Sequence, residues 1–400
     1  MGLTDEQRAL RDAVRALLAR QQRRPPAGDR GNGAHRHDQA GYDQADCDQA
    51  GYDQALWQRL CGEIGIAGLA VPECYGGAGA GPVETHIAVE ELGRDLTPSP
   101  MIGSVVLAAQ ALLASGDAAA CRRLLPGIAD GTAIAALAWT GPDGHWDPSE
   151  VACRAAPADR AEGGPPTSSA GGWMQGGWVL DGVAHHVLDG GAADVLLVAA
   201  TTPDGIRLFD VDPYQGGVAR AAVTTMDSTR QLAVVQLTGA AGRRLDGDGC
   251  AGLARARDLA CIALSAEQVG AAQRALELTV AYTQIRVQFG RPIGSFQALQ
   301  HRMADLHVLV ESARSLSYAA ATAAAEGAPD LGLRAAAAKV YCSEAALRVA
   351  GEMIQLHGAI GITWEHEAHR YLKRAHGAAQ LLGQPSEHVA RIAAALIDRH

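Results

Sequence analysis

Apolar residues recur at helical spacing from the start of the chain. Leu3, Leu10, Val14, Leu17 and Leu18 fall near one face of a helix over 3–20, with Thr4 or Asp5 available to cap it. The pattern then lapses. Residues 21–36 are basic and polar around Pro25-Pro26, and Asp-Gln-Ala recurs at 38, 43, 48 and 53, a period of five that suits neither helix nor strand. This stretch has too little apolar surface to offset chain entropy, so 21–55 reads as a disordered insertion. Helical spacing resumes over 56–63, 83–93, 101–114 and 118–125, in segments bounded by Gly or Pro.

Between 132 and 247 the period shortens. Trp178 to Ala184 reads as a hairpin around Asp181-Gly182. Runs over 194–201, 205–211, 217–225 and 230–237 read as short strands separated by turn residues, which predicts a small barrel or sandwich. Residues 157–177, rich in Pro, Gly, Ser and Thr, read as a loop. From Ala251 to Val287 there is no proline, enough for a helix of about 50 Å at 1.5 Å per residue. Further helices fit 296–326, 331–356, 365–382 and 386–398, and Ala-rich antiparallel helices of this length make a bundle. The predicted architecture is α+β in three parts: a helical domain over 1–131, a central β-barrel or sandwich over 132–247, and a four-helix-type bundle over 248–400.

Composition narrows the functional classes. Lys and Arg total 34 against 44 Asp and Glu, a net charge of −10, which disfavours phosphate neutralisation and hence nucleic acid. No apolar run approaches the roughly 20 residues that span a bilayer, so no membrane partner is expected. The eight cysteines (47, 61, 74, 121, 153, 250, 261 and 342) form no C-x-x-C pair. They read as reduced thiols in a cytoplasmic protein rather than as a zinc or redox site.

Candidate chemistry gathers in the bundle. Arg286-Val287-Gln288-Phe289-Gly290-Arg291 leads on to Phe296-Gln297, putting a guanidinium, an aromatic face and amides at a chain reversal. A guanidinium fork suits phosphate oxygens. Gln355-Leu356-His357-Gly358-Ala359 supplies a glycine turn whose backbone can approach a ligand. Each feature also has an ordinary structural reading, a solvated helix-ending Arg and a C-capping Gly. His357, His366, His369 and His376 lack the H-E-x-x-H spacing of a zinc helix, and no metal is expected. His185-His186 reads as two histidines on opposite faces of a strand.

Taken together, these motifs resemble the acyl-CoA dehydrogenase family, over nearly the whole chain apart from 21–55 and 157–177. Gly65 to Gly77 with Glu90-Glu91-Leu92-Gly93-Arg94 matches the family's N-terminal domain, and Arg286, Phe289, Gln297 and the Gln355–Ala359 turn match its most specific signatures. Thr363 to His366, with His369, resembles the actinobacterial branch that includes heteromeric steroid-CoA dehydrogenases. The resemblance implies α,β-dehydrogenation of an acyl thioester, on CoA or a carrier protein, by FAD shared across a dimer contact. It implies Arg286 at the pyrophosphate, Gln297 at adenosine, Phe289, Gln355, Gly358 and Ala359 lining the same site, and Thr140 on the flavin ring. Ala359 stands where a second glycine is usual, His186 where an aromatic flanks the ring, and Leu188 where a threonine is common.

The family reaction needs a carboxylate beside the substrate α-carbon, its pKa raised by a dry pocket. Matching Lys373-Arg374 and Gln380 to the family pattern puts Gly383 at the usual base position, and counting back from Arg286 puts Ala260 at the second one. Neither accepts a proton. Glu267 lies seven residues past Ala260 on the same helical face, about 10 Å away, and leads Asp258 and Glu387 as a substitute. The lead reading is a flavin-dependent dehydrogenase of an acyl thioester; the alternatives are a base-lacking subunit paired with a sister chain, or the fold turned to oxygenation or non-redox cyclisation in natural-product biosynthesis. The assembly expected is a homodimer, a homotetramer or a heteromer.

Overall fold

The computed structural model describes residues 2–22, 51–158 and 177–397. Most of the predicted insertion and of the 157–177 loop lies outside them. The described edges of the insertion are ordered, which corrects its boundaries. Helix α1 (Asp5–Gln22) runs past the expected end, Tyr52 is buried, and Asp53 caps α2 (Gln54–Arg59) by accepting from the Leu56 N–H at 2.9 Å. Helix α3 (Pro82–Arg94) follows. A π-helical stretch, Met101–Ala108, continues into α4 (Ala109–Ala114), and α5 (Ala118–Ala129) closes the first part.

Seven strands come next: β1 (Ala135–Ala138), β2 (Cys153–Pro157), β3 (Trp178–Leu188), β4 (Val195–Thr202), β5 (Gly205–Val211), β6 (Val218–Val223) and β7 (Leu232–Arg244). The pairings β2–β3, β3–β7, β7–β5, β5–β4 and β4–β2 close a ring, so the sheet is a barrel. Strand β1 extends one edge parallel to β4, and β6 lies against β7. The expected strands are present except for the hairpin at Asp181-Gly182. There β3 runs straight through, with a register shift between Leu180 and Gly182. Gly182 has φ +141° and sits so close to β2 that a Cβ would lie 2.8 Å from the Cys153 Cα. The Asp181 carboxylate accepts the Gly239 N–H at 2.8 Å. An Asp-Gly pair serves a bulge as well as a turn, and cross-strand pairing decides between them.

Alternation along β4 explains its continuous apolar run. Leu196, Val198 and Ala200 fill the barrel around Phe209, while Leu197 and Ala199 face the helices. The bundle consists of α6 (Gly249–Ile285), α7 (Gln297–Ala325), α8 (Leu331–His357), α9 (Ala368–Gln380) and α10 (Pro385–Ile397). Helix α6 is the spine. It crosses α3 backbone to backbone, since a Cβ on Gly270 would lie 1.9 Å from the Glu90 carbonyl oxygen. Among the described residues no helix is long and apolar enough to cross a membrane.

Candidate functional site

Two regions contain the residues singled out above. The first is the end of the bundle where α6 and α8 finish and α7 begins. Arg286 follows α6 in extended conformation, its N–H bonded to the Tyr282 carbonyl at 2.9 Å. A two-strand hairpin, β8 (Val287–Gln288) and β9 (Arg291–Pro292), turns through Phe289 and Gly290, both at positive φ. Phe289 is 92% exposed, and its ring meets the edge of Phe296. The Arg291 guanidinium lies 4.1 Å from the Phe296 ring centre. Tyr282 ties this end to α8: its ring stacks on His357 at 4.3 Å and its hydroxyl donates to the His357 carbonyl at 3.3 Å.

Arg286, Gln297, Gln355, Gly358 and Ala359 are all exposed on this end. Gly358 has φ +65°, whereas Ala359 lies in an ordinary right-handed turn, so its methyl group adds no backbone strain. Of the four histidines, His357 and His366 meet at a tilt of 49° with ring centres 4.4 Å apart, and His369 meets Trp364 edge-on. Burial lowers the His357 pKa. Among the described residues no group of three potential metal ligands forms.

The second region is the corner between the barrel and the α9–α10 loop. Thr140 is buried just beyond β1, and its hydroxyl donates to the His185 carbonyl. The β3 register shifts again between Ala184 and Val187, and His186 takes φ +55°. The two histidines therefore sit on a bulge, which corrects the simple alternation expected for them. Trp146 fills the same corner. It is buried edge-on to Trp139 at 5.1 Å, and its carbonyl accepts from the Arg257 guanidinium at 3.4 Å.

The two positions at which the base is expected from sequence, Ala260 and Gly383, lie in this corner. Ala260 is fully buried on α6, and the adjacent Cys261 Sγ lies 4.0 Å from the Leu382 carbonyl, next to Gly383. Leu382 and Gly383 have φ +62° and +102°. His388 holds this bend through Nε2 at 2.9 Å from the Leu382 carbonyl, and burial pushes its pKa down to about 4. Beneath the loop lies Lys339, fully buried, its ammonium donating to the Ala378 and Ala379 carbonyls at 3.1 and 3.0 Å and to Ser343 Oγ at 3.0 Å. A cation on the last carbonyls of α9 also complements the helix dipole.

Two of the three substitute carboxylates are already engaged. Glu267, the leading candidate from spacing, accepts from Arg230 at 2.5 Å and Arg374 at 3.1 Å, and all three are nearly buried. Arg374 also binds Asp227 and Thr229. Burial works against the Arg374 charge, but Glu267 and Asp227 raise its pKa on balance. Asp258 is paired with Arg391 and Arg257. Glu387 is partly exposed, 3.9 Å from His145 and 3.2 Å from where a Cβ on Gly383 would lie. Sequence reasoning missed Trp146, Arg230 and Lys339. Only Lys339 left a signal, as a charge directly after the Ala335–Ala338 run.

Comparison with known proteins agrees along the chain. Residues 4–132 match the model of the acyl-CoA dehydrogenase N-terminal domain, and 247–397 that of the C-terminal domain. Acyl-CoA dehydrogenase IpdE2 of Mycobacterium tuberculosis is 40% identical over 390 residues, 97% of this chain and 96% of the relative. The solved structure of a variant of the Tcur3481-Tcur3483 steroid ACAD superposes with a TM-score of 0.82 at 31% identity, covering 98% of both chains. The ChsE4-ChsE5 complex from Mycobacterium tuberculosis gives 0.80 at 28% identity, covering 99% of this chain and 98% of that one.

Proposed function

Since the chain belongs to the acyl-CoA dehydrogenase family, flavin-dependent oxidoreductases of acyl thioesters, we propose that it serves as the base-lacking subunit of a heteromeric enzyme. In this reading a sister chain supplies the carboxylate that takes the α-proton. This chain supplies Arg286, Phe289, Gln297, Gln355, Gly358 and Ala359 to the pyrophosphate and adenosine end of FAD.

The observation that carries the reading is the state of the base corner. Gly383 and Ala260 offer no proton acceptor, Glu267 and Asp258 are committed to arginines, and a left-handed bend has formed where the base would be. The donor set on the bundle end fits a dinucleotide: an unburied guanidinium, two amides and a positive-φ glycine with open space beside it. The ring side fits poorly. The Thr140 hydroxyl hydrogen already serves His185, Leu188 has none to give, and Trp146 occupies the corner. The paired names of the Tcur3481-Tcur3483 and ChsE4-ChsE5 structures support a two-chain assembly.

A second reading rests on Glu387. Its carboxylate lies within a side chain's reach of the Gly383 position and would make the chain an autonomous dehydrogenase acting on CoA or carrier-protein thioesters.

Visible absorption with anaerobic acyl-CoA separates the two. The purified chain alone is expected to show no flavin band that substrate bleaches. The complex with a family member that bears the loop glutamate should bleach. Arg286→Ala in this chain should weaken flavin retention by the complex about tenfold or more, the loss of one charge-assisted contact. Bleaching by the chain alone, abolished in Glu387→Gln, would establish the second reading instead.

A further inference from the structure

A narrow cavity of about 30 Å³ lies between α3, the π-helix with α4, and α6. Leu259, Ile262 and Ala263 form its α6 wall, and Val106 faces them. Ala263 is less than one turn from Ala260, so the cavity adjoins the wall where the reacting acyl carbons would lie if a thioester entered this chain.

Three polar side chains interrupt this apolar lining; Thr85 is satisfied, its hydroxyl donating to the Gly81 carbonyl at 3.1 Å, and the other two are His86 and Gln110. His86 is 1% exposed, with its ring against Tyr318 and Nε2 3.4 Å from Ser317 Oγ, while its Nδ1 has no partner. Gln110 also lines the cavity, and its Nε2 is buried without a partner. A buried donor without a partner costs about 1–3 kcal/mol. Two such donors on one small cavity are what a site for an acceptor oxygen needs. In the tautomer in which Ser317 Oγ donates to Nε2, the neutral imidazole carries its proton on Nδ1, and both free groups are then donors.

The oxygen should be uncharged. Burial pushes the His86 pKa down to about 3, so the ring is neutral at physiological pH. The nearby Arg314 is already paired with Glu90. A carboxylate would therefore enter without a counter-charge. The volume suits a carbonyl and the carbon that bears it, not a whole acyl chain.

We propose that this cavity receives the keto oxygen of a short acyl group, so that the chain binds an oxo-acyl thioester in preference to the plain one. This preference rests on the acyl-thioester reading of the site and not on the missing base, since binding needs no proton acceptor.

Calorimetric titration of the full-length chain with 4-oxopentanoyl-CoA, pentanoyl-CoA and succinyl-CoA tests it. The oxo-thioester should bind about tenfold more tightly than pentanoyl-CoA, the worth of one to two hydrogen bonds, and more tightly than succinyl-CoA. His86→Leu/Gln110→Leu should bring the oxo and plain thioesters within about twofold while pentanoyl-CoA affinity stays constant. Gln110→Leu alone, at the less buried site, should remove part of the preference even if the double variant folds poorly. Equal affinities in the unaltered chain, a preference that survives both substitutions, tighter binding of succinyl-CoA, or no binding of any thioester would overturn it. Should the chain alone oxidise pentanoyl-CoA, the base-lacking reading fails, while the affinity ratio still tests the cavity.

Discussion

The bundle end around Arg286 and the corner around Gly383 contrast in how their side chains are spent. At the bundle end the polar groups face outward: Arg286, Gln297 and Gln355 are exposed, beside a Phe289 ring that is almost wholly bare. At the corner they are turned in on the protein itself. Glu267 holds Arg230 and Arg374, Asp258 holds Arg391, Thr140 binds its neighbouring strand, and Lys339 binds α9. A site that must meet another molecule leaves donors unpaired until that molecule arrives. A corner with its charges paired among themselves has the chemistry of a structural joint.

The largest effect should come from the joint. Glu267→Gln leaves two buried arginines short of a counter-charge, and removing one partner of a buried pair costs about 3–5 kcal/mol. Chemical denaturation of the purified chain should show that loss. If the corner is structural, the flavin complex with a sister chain should keep its turnover at temperatures where the variant remains folded. Unchanged stability with abolished turnover would instead make Glu267 a working base and break the contrast.

Lys339 gives the next effect, and it has a pH signature. Burial lowers its pKa from 10.5 to about 8. Below about pH 8 folded and unfolded chains both hold the proton, and the folded state bears the full cost of the buried charge. Between about 8 and 10.5 the folded chain releases its proton first, so stability rises with pH, by on the order of 3 kcal/mol for this group. The rise should appear as the difference between the unaltered chain and Lys339→Met in urea denaturation across that range. A flat difference would mean that the α9 carbonyls keep the ammonium charged throughout.

How far the sequence reveals these two regions depends on how local their causes are. The long helices of the bundle are legible because Pro and Gly are rare inside them and the apolar period holds for many turns. The barrel is legible as short strands at regular spacing. Its bulge at Asp181-Gly182 is not, because that pair has the same local preference in a turn. The face that Glu267 shares with Ala260 is legible from a spacing of seven. Its partners are not, since Arg230 and Arg374 stand 37 and 107 residues away and reach it only through the fold. Glu387 is legible as a nearby acid, but its closeness to the Gly383 position depends on a backbone bend that no spacing shows.

The smallest effect concerns that bend. With φ at +102°, Gly383 occupies a conformation that L-residues avoid, and a Cβ there would also meet His388 Nε2 at 3.0 Å. Gly383→Ala should therefore cost about 1–2 kcal/mol, read as a lowered Tm. Gly383→Glu should carry a similar penalty and still give no bleaching of bound flavin by acyl-CoA in the chain alone, because the loop that would aim the carboxylate must first leave its left-handed turn. A base lost by point substitution alone would return with the glutamate. A loop that has settled around the loss, with His388 on the Leu382 carbonyl and Lys339 on the end of α9, would not admit it, and the stability of Gly383→Glu separates these two cases.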